Sequence, residues 1–213
     1  MERKNRNRGI LCHIVLVMVL LLVGCGGPDD ADNEAKAADA EGCWMTPREL
    51  SMEEIAAIDL VSSDKDVGYG IFDYHFDDFY DGMNVCMSVY QNGGPQAQDS
   101  LIVGISFDEF SRNGELAVVM EETGCRTKIR DDDGFETSGS WDAQDYLKIN
   151  GNGGRHTSSR EGVKDADNHI ILYTVGVYEG AARHLSQDAD ITKAINEDIK
   201  KFDTYIVFYA EGY

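Results

Sequence analysis

The sequence predicts an α+β fold built mainly on antiparallel β-sheet, sandwich-like or as a curved sheet, with an N-terminal and a C-terminal helix. Three observations lead there. From residue 67 onward, apolar side chains recur at every second position, the period of a strand with one buried face. The apolar runs are short and separated by turn pairs such as Asp81-Gly82 and Asn113-Gly114, which join antiparallel neighbours. Helical spacing occurs only near residues 50 and 195, at the two ends of the folded region. Helices that flank strands instead of alternating with them argue against a doubly wound fold.

Thr46-Pro47-Arg48-Glu49 reads as a helix start. Thr46 caps, Pro47 suits the first helical position and Glu49 closes a capping box. Leu50, Ile55 and Ile58 then form one apolar stripe, which predicts a helix over 47–60. Residues 68–79, rich in Tyr and Phe, read as a strand. In 83–89 the odd positions are apolar and the even ones polar, so Cys86 points away from the main core. A polar Gly-Pro loop fills 91–100. Strands at 101–107 and 116–121 are joined as a hairpin by Asn113-Gly114. Residues 125–130 alternate again, and Asp131 to Gly134 turn the chain, with Arg126 or Arg130 as expected ion-pair partners. Further strands are read at 146–150 and 169–178, with a long polar loop between them. Asp190 caps a helix whose Ile191, Ile195, Ile199 and Phe202 share a face, and 204–209 is a last strand. No repeat period is visible.

The first residues have the parts of an export signal. Arg3, Lys4, Arg6 and Arg8 precede an apolar run from Ile10 to Val23, broken only by His13. The run is too short to span a bilayer comfortably, which takes ~20 apolar residues. Leu22-Val23-Gly24-Cys25 closes it. This resembles the lipobox of bacterial lipoproteins. The resemblance covers only the signal; it implies a lipid on the Cys25 thiol, cleavage after Gly24 and an extracytoplasmic, membrane-anchored protein. Gly26 at the following position would favour the outer membrane in a diderm cell. The expected organisation is therefore a signal peptide over 1–24, a disordered acidic tether over 25–42 and one β-rich domain over 43–213. The tether has no large apolar residue to offset its ordering entropy.

The chain of 213 residues carries 39 Asp and Glu against 19 Lys and Arg, a net charge of −20. Removing the signal takes four basic residues and one acid, leaving 15 against 38, a net of −23. That balance argues against nucleic acid and against docking on anionic lipid headgroups. Cys43, Cys86 and Cys125 remain, enough for one disulfide and a free thiol outside the cytoplasm. Their pairing is open, and no Cys-x-x-Cys is present.

Four clusters are candidate sites. Asp73, Asp77 and Asp78, with His75 and Asp81 among aromatics, are candidate ligands for a hard cation, Ca²⁺ foremost. A polar strand edge would look the same. Arg155 and Arg160, in the loop Gly-Arg-His-Thr-Ser-Ser-Arg, are candidate anion-binding residues. Asp131-Asp132-Asp133-Gly134 fails the EF-hand register because Ile129 falls at the first ligand position. Asp165, Asp167 and Asn168 make another small oxygen cluster. No Gly-x-Ser-x-Gly, Walker or dinucleotide fingerprint occurs, and nothing pairs Ser158 with His169 or His184. The chemistry favours a lipid-anchored extracytoplasmic binding or interaction protein, taking a protein or carbohydrate ligand, and names no catalytic residue. The alternative is an extracytoplasmic hydrolase or carbohydrate-active enzyme using carboxylates between Asp73 and Asp81. A subunit of an envelope assembly is a third class.

Overall fold

The computed structural model describes residues 42–61, 68–94, 98–121, 124–147 and 153–213. The export signal, Cys25 and the tether before residue 42 lie outside the described residues. The chain divides into two compact units, residues 1–40 with 49–65, and residues 41–48 with 66–213.

The described part of the first unit is a helix, α1 (Met52–Val61). Its N-terminus is a capping box one turn later than expected. The Ser51 hydroxyl accepts from the Glu54 amide at 3.3 Å, and a Glu54 carboxylate oxygen accepts from the Ser51 amide at 2.8 Å. Thr46 and Pro47, read as the cap and first position of this helix, instead belong to a strand of the second unit, β1 (Trp44–Pro47). β1 pairs with β2 (Tyr69–His75), setting Thr46 opposite Asp73 and Pro47 opposite Phe72. Proline is tolerated there because β1 is an edge strand.

The second unit holds two five-stranded sheets in which every pairing is antiparallel. One runs β1-β2-β5-β6-β7, with β5 (Asn113–Glu121), β6 (Gly124–Asp131) and β7 (Glu136–Asp142). The other runs β4-β3-β10-β9-β8, with β3 (Gly82–Gln91), β4 (Gln98–Ser106), β8 (Gly154–Lys164), β9 (Ile170–Tyr178) and β10 (Thr204–Gly212). The sheets pack face to face over one apolar core. Phe72, Leu116, Met120 and Ile129 come from the first sheet, and Met83, Met87, Leu172 and Phe208 from the second. Phe72 meets Tyr173 edge to face across the layers at 6.1 Å.

A second apolar cluster covers the outer face of the β4-to-β8 sheet. Helix α3 (Ile191–Lys201) lays Ile191, Ile195 and Ile199, then Phe202, over Ile171, Tyr205 and Val207. Asp190 caps it by accepting from the Lys193 amide at 3.0 Å. β9 is therefore buried on both faces, which is why its sequence is apolar throughout except for Thr174. Cys86 lies in this outer cluster while Cys43 and Cys125 lie between the sheets, and all three thiols are free. The disulfide that three cysteines would allow is not formed among the described residues, and the alternation that turns Cys86 outward separates it from the other two.

Three further expectations change. Asn113-Gly114 is no hairpin tip; it begins β5, and residues 107–112 carry the chain from one sheet to the other. The strand expected at 146–150 gives way to a short helix, α2 (Gln144–Leu147), with 148–150 outside the described residues. The polar loop expected after Gly154 is the edge strand β8. No helix among the described residues is long and apolar enough to cross a membrane.

Candidate functional site

The cation candidates do not converge. Asp73 leaves the outer face of β2 beside Glu115 and Arg48; burial first, and then Glu115, hold its carboxyl above the usual range. β2 ends at His75, so the period-two argument stops there and Asp77 falls on the following turn. Asp77 accepts from the Gly42 amide at 2.6 Å and pairs with His75 Nε2 at 3.1 Å. Asp78 is exposed and pairs with Arg112 Nε at 3.2 Å. Each carboxylate has a different partner, and the three share no common centre among the described residues.

The anion candidates also separate. Arg155 donates to the Glu121 carbonyl at 3.2 Å, toward the facing sheet. Arg160 turns the other way, under α3. Its Nε donates to Thr174 Oγ1 and its Nη1 to the Ser186 carbonyl, both at 3.1 Å, while Nη2 lies 3.5 Å from Asp198. Backbone amides hold the Asp131 turn. Its carboxylate accepts from Ser111 and Phe135 amides, both at 2.8 Å, while Arg126 pairs with Glu121.

A concave site lies elsewhere, on the outer face of the β4-to-β8 sheet. A cleft of about 240 Å³ opens between α3, the end of β3 and the turn joining β8 to β9. Ile195 and Ile199 of α3 form its apolar floor, with Tyr90 of β3 beside them. Asp165 and Asp167 stand on one rim, and Asn196 and Lys200 on another.

The rim is built locally and then pinned. Asp165 Oδ1 accepts from the amides of Asp167 at 2.9 Å and His169 at 3.0 Å, closing an Asx-type turn in which Asn168 has φ +65°. Asp165 Oδ2 meets His169 Nδ1 at 3.2 Å. The Ala166 amide donates to Thr192 Oγ1 at 3.0 Å, tying the turn to α3. The His169 ring lies over Tyr209 at 4.3 Å, with Nε2 3.6 Å from Glu211. Ligand-type atoms of Asp165, Asp167 and His169 all come within 4.8 Å of one another. Negative potential reaches the floor: burial, then Asp99 and Asp165, hold the Tyr90 phenol above its usual range.

Burial pushes the Cys86 and Cys125 thiols up to about 12, so neither is a thiolate near neutrality. The Ser158 hydroxyl donates to the Ser159 carbonyl. The Asp165-Asp167-Asn168 cluster is legible in the sequence, but its partners are not. Tyr90 comes from a strand some 75 residues earlier, counted from Tyr90 to Asp165, and Lys200 from the polar edge of α3. The i, i+3, i+4, i+7 spacing of Thr192, Ile195, Asn196 and Ile199 is the one sequence signal that groups the α3 side of the cleft. Against known protein families, curated proteins and solved structures, the chain has no match.

Proposed function

We propose that the chain is a lipid-anchored extracytoplasmic binding protein and that the cleft over α3 is its ligand site. The single observation that carries the ligand site is the cleft's composition: carboxylates of Asp165 and Asp167 at the rim of an isoleucine and tyrosine floor. A ligand with an ammonium group and a small apolar body matches that pattern, since the charge stays at the wet rim while the carbons cover Ile195 and Ile199. The anchor rests on the signal sequence and its Leu22-Val23-Gly24-Cys25 ending. Two acyl chains on Cys25 would hold the protein on the membrane, since each buried methylene contributes ~0.8 kcal/mol.

Both halves are open to test. Cys25→Ala should move the protein from the membrane fraction to the soluble one, and unchanged membrane association would remove the anchor. Pentylamine titrated into the protein at neutral pH should bind saturably, and Asp165→Asn with Asp167→Asn should abolish it. A flat calorimetric titration, or equal binding by the double variant, would remove the cleft.

A further inference from the structure

A second surface feature is a loop end with exposed aromatic tips. Three described loops meet there: residues 76–81 after β2, 107–112 after β4, and 132–135 after β6. Two side chains bind them together. Arg112 donates from Nη1 to the carbonyls of Asp77, at 2.9 Å, and Tyr80, pairs through Nε with Asp78, and lies 5.0 Å over the Phe107 ring. The buried Asp131 carboxylate takes the amides of Ser111 and Phe135. Phe107 also donates its amide to the Asp81 carbonyl at 2.9 Å, and Phe110 meets Phe135 at 6.3 Å.

On this braced base two large apolar side chains face water. Phe79 is 92 % exposed and Phe135 59 %. Asp78, Asp81, Asp108, Glu109, Asp132 and Asp133 are exposed on the same three loops, whose one arginine is Arg112. Exposed phenylalanines on loops held by an internal ion pair need little ordering when they meet a partner. The rim sets the sign of that partner. A second copy would bring acid against acid across a self-complementary face. Anionic lipid and nucleic acid are repelled for the same reason.

We propose that this loop end docks a cationic protein segment whose apolar side chains cover Phe79 and Phe135 while its lysines or arginines meet the acidic rim. The proposal is independent of the cleft.

The test uses the full chain in neutral-lipid nanodiscs and a fluorescent synthetic peptide alternating lysine with leucine. A peptide with glutamate in place of lysine is the control. The lysine peptide should bind and the glutamate peptide should not, with affinity falling as salt rises. Phe79→Ser with Phe135→Ser should weaken binding about tenfold or more. Asp165→Asn, in the cleft, should leave it unchanged. A second variant, Asp108→Asn with Asp132→Asn and Asp133→Asn, touches neither an apolar contact nor the Arg112 brace and should weaken binding while flattening its salt dependence. The proposal is overturned by any of four results: no binding of the lysine peptide, equal binding by the phenylalanine variant, capture of anionic vesicles through the same phenylalanines, or a sedimenting dimer that those phenylalanines hold together.

Discussion

The residue that most changes meaning between sequence and structure is Arg160. In the sequence it belongs to the one locally basic loop, a place for an external anion. In the fold its anion is internal. Asp198, 0 % exposed, accepts the Ser186 amide on both oxygens at 2.9 and 3.0 Å, and also takes Lys201 Nζ at 3.1 Å. The pair joins β8, the segment before α3 and α3 itself. Removing one member strands a buried charge, so Asp198→Ala is expected to cost about 3–5 kcal/mol. Arg160→Met combined with Asp198→Leu should cost less than the single change, because no buried charge is left behind and the half-exposed Lys201 can turn to water. Urea denaturation of the two variants measures the difference, and a double variant as unstable as the single one would refute the argument.

At the scale of elements, the edges of the two sheets close on each other through glycine. β8 carries a register irregularity between Ser159 and Val163, and Gly162 lies in it with φ +69°. A β-carbon at Gly162 would collide with the Met45 carbonyl oxygen of β1. One at Gly139 of β7 would collide with the Ile102 carbonyl oxygen of β4. Edge strands of the facing sheets thus shield each other, which blunts their tendency to pair with another chain. Gly162→Ala combines a left-handed backbone with a clash and should destabilise by about 3 kcal/mol or more. Gly134 supplies the comparison, with φ +87° and open space around it. Gly134→Ala should carry only the backbone cost, about 1–2 kcal/mol. Equal losses in chemical denaturation would show that the edge contact is loose.

For the whole molecule, the buried neutral acids set the response to high pH. Burial pushes Cys86, Cys125, Tyr173 and Tyr209 each up to about 12, from ordinary values of 9.0 for the thiols and 10.0 for the phenols. A group raised on folding adds stability that is complete below its unfolded pKa and lost as pH rises through its folded one. The folded chain therefore holds protons that the unfolded chain releases between pH 9 and 12. Urea midpoints should be level up to about pH 8.5 and then fall steadily toward pH 12. A midpoint unchanged between pH 9 and 11 would mean that these groups are not buried in solution. The net charge of −20 adds self-repulsion in the same direction.

What the sequence determined by itself was local and periodic. The two-period runs of β3 and β6, the turn at Asp131 and the capped helix from Asp190 could all be read from neighbours a few residues apart. The outward direction of Cys86 followed from the same alternation. What only the tertiary structure decided rests on partners distant in sequence. Two successive capping boxes, Thr46 to Glu49 and Ser51 to Glu54, compete locally, and pairing of β1 with β2 chose the second. β8 lacks an apolar period because its polar side chains find partners such as Thr174, Ser186 and Asp198. β7 alternates between exposed polar residues and half-buried Thr137, Gly139 and Trp141, so a single large apolar residue marked its inner face and left no period to read. The cleft had the faintest trace of all, since Tyr90, Asp165 and Lys200 meet only when β3, the β8–β9 turn and α3 fold onto one sheet face. Periodicity records which side of an element is buried; it does not record what stands opposite.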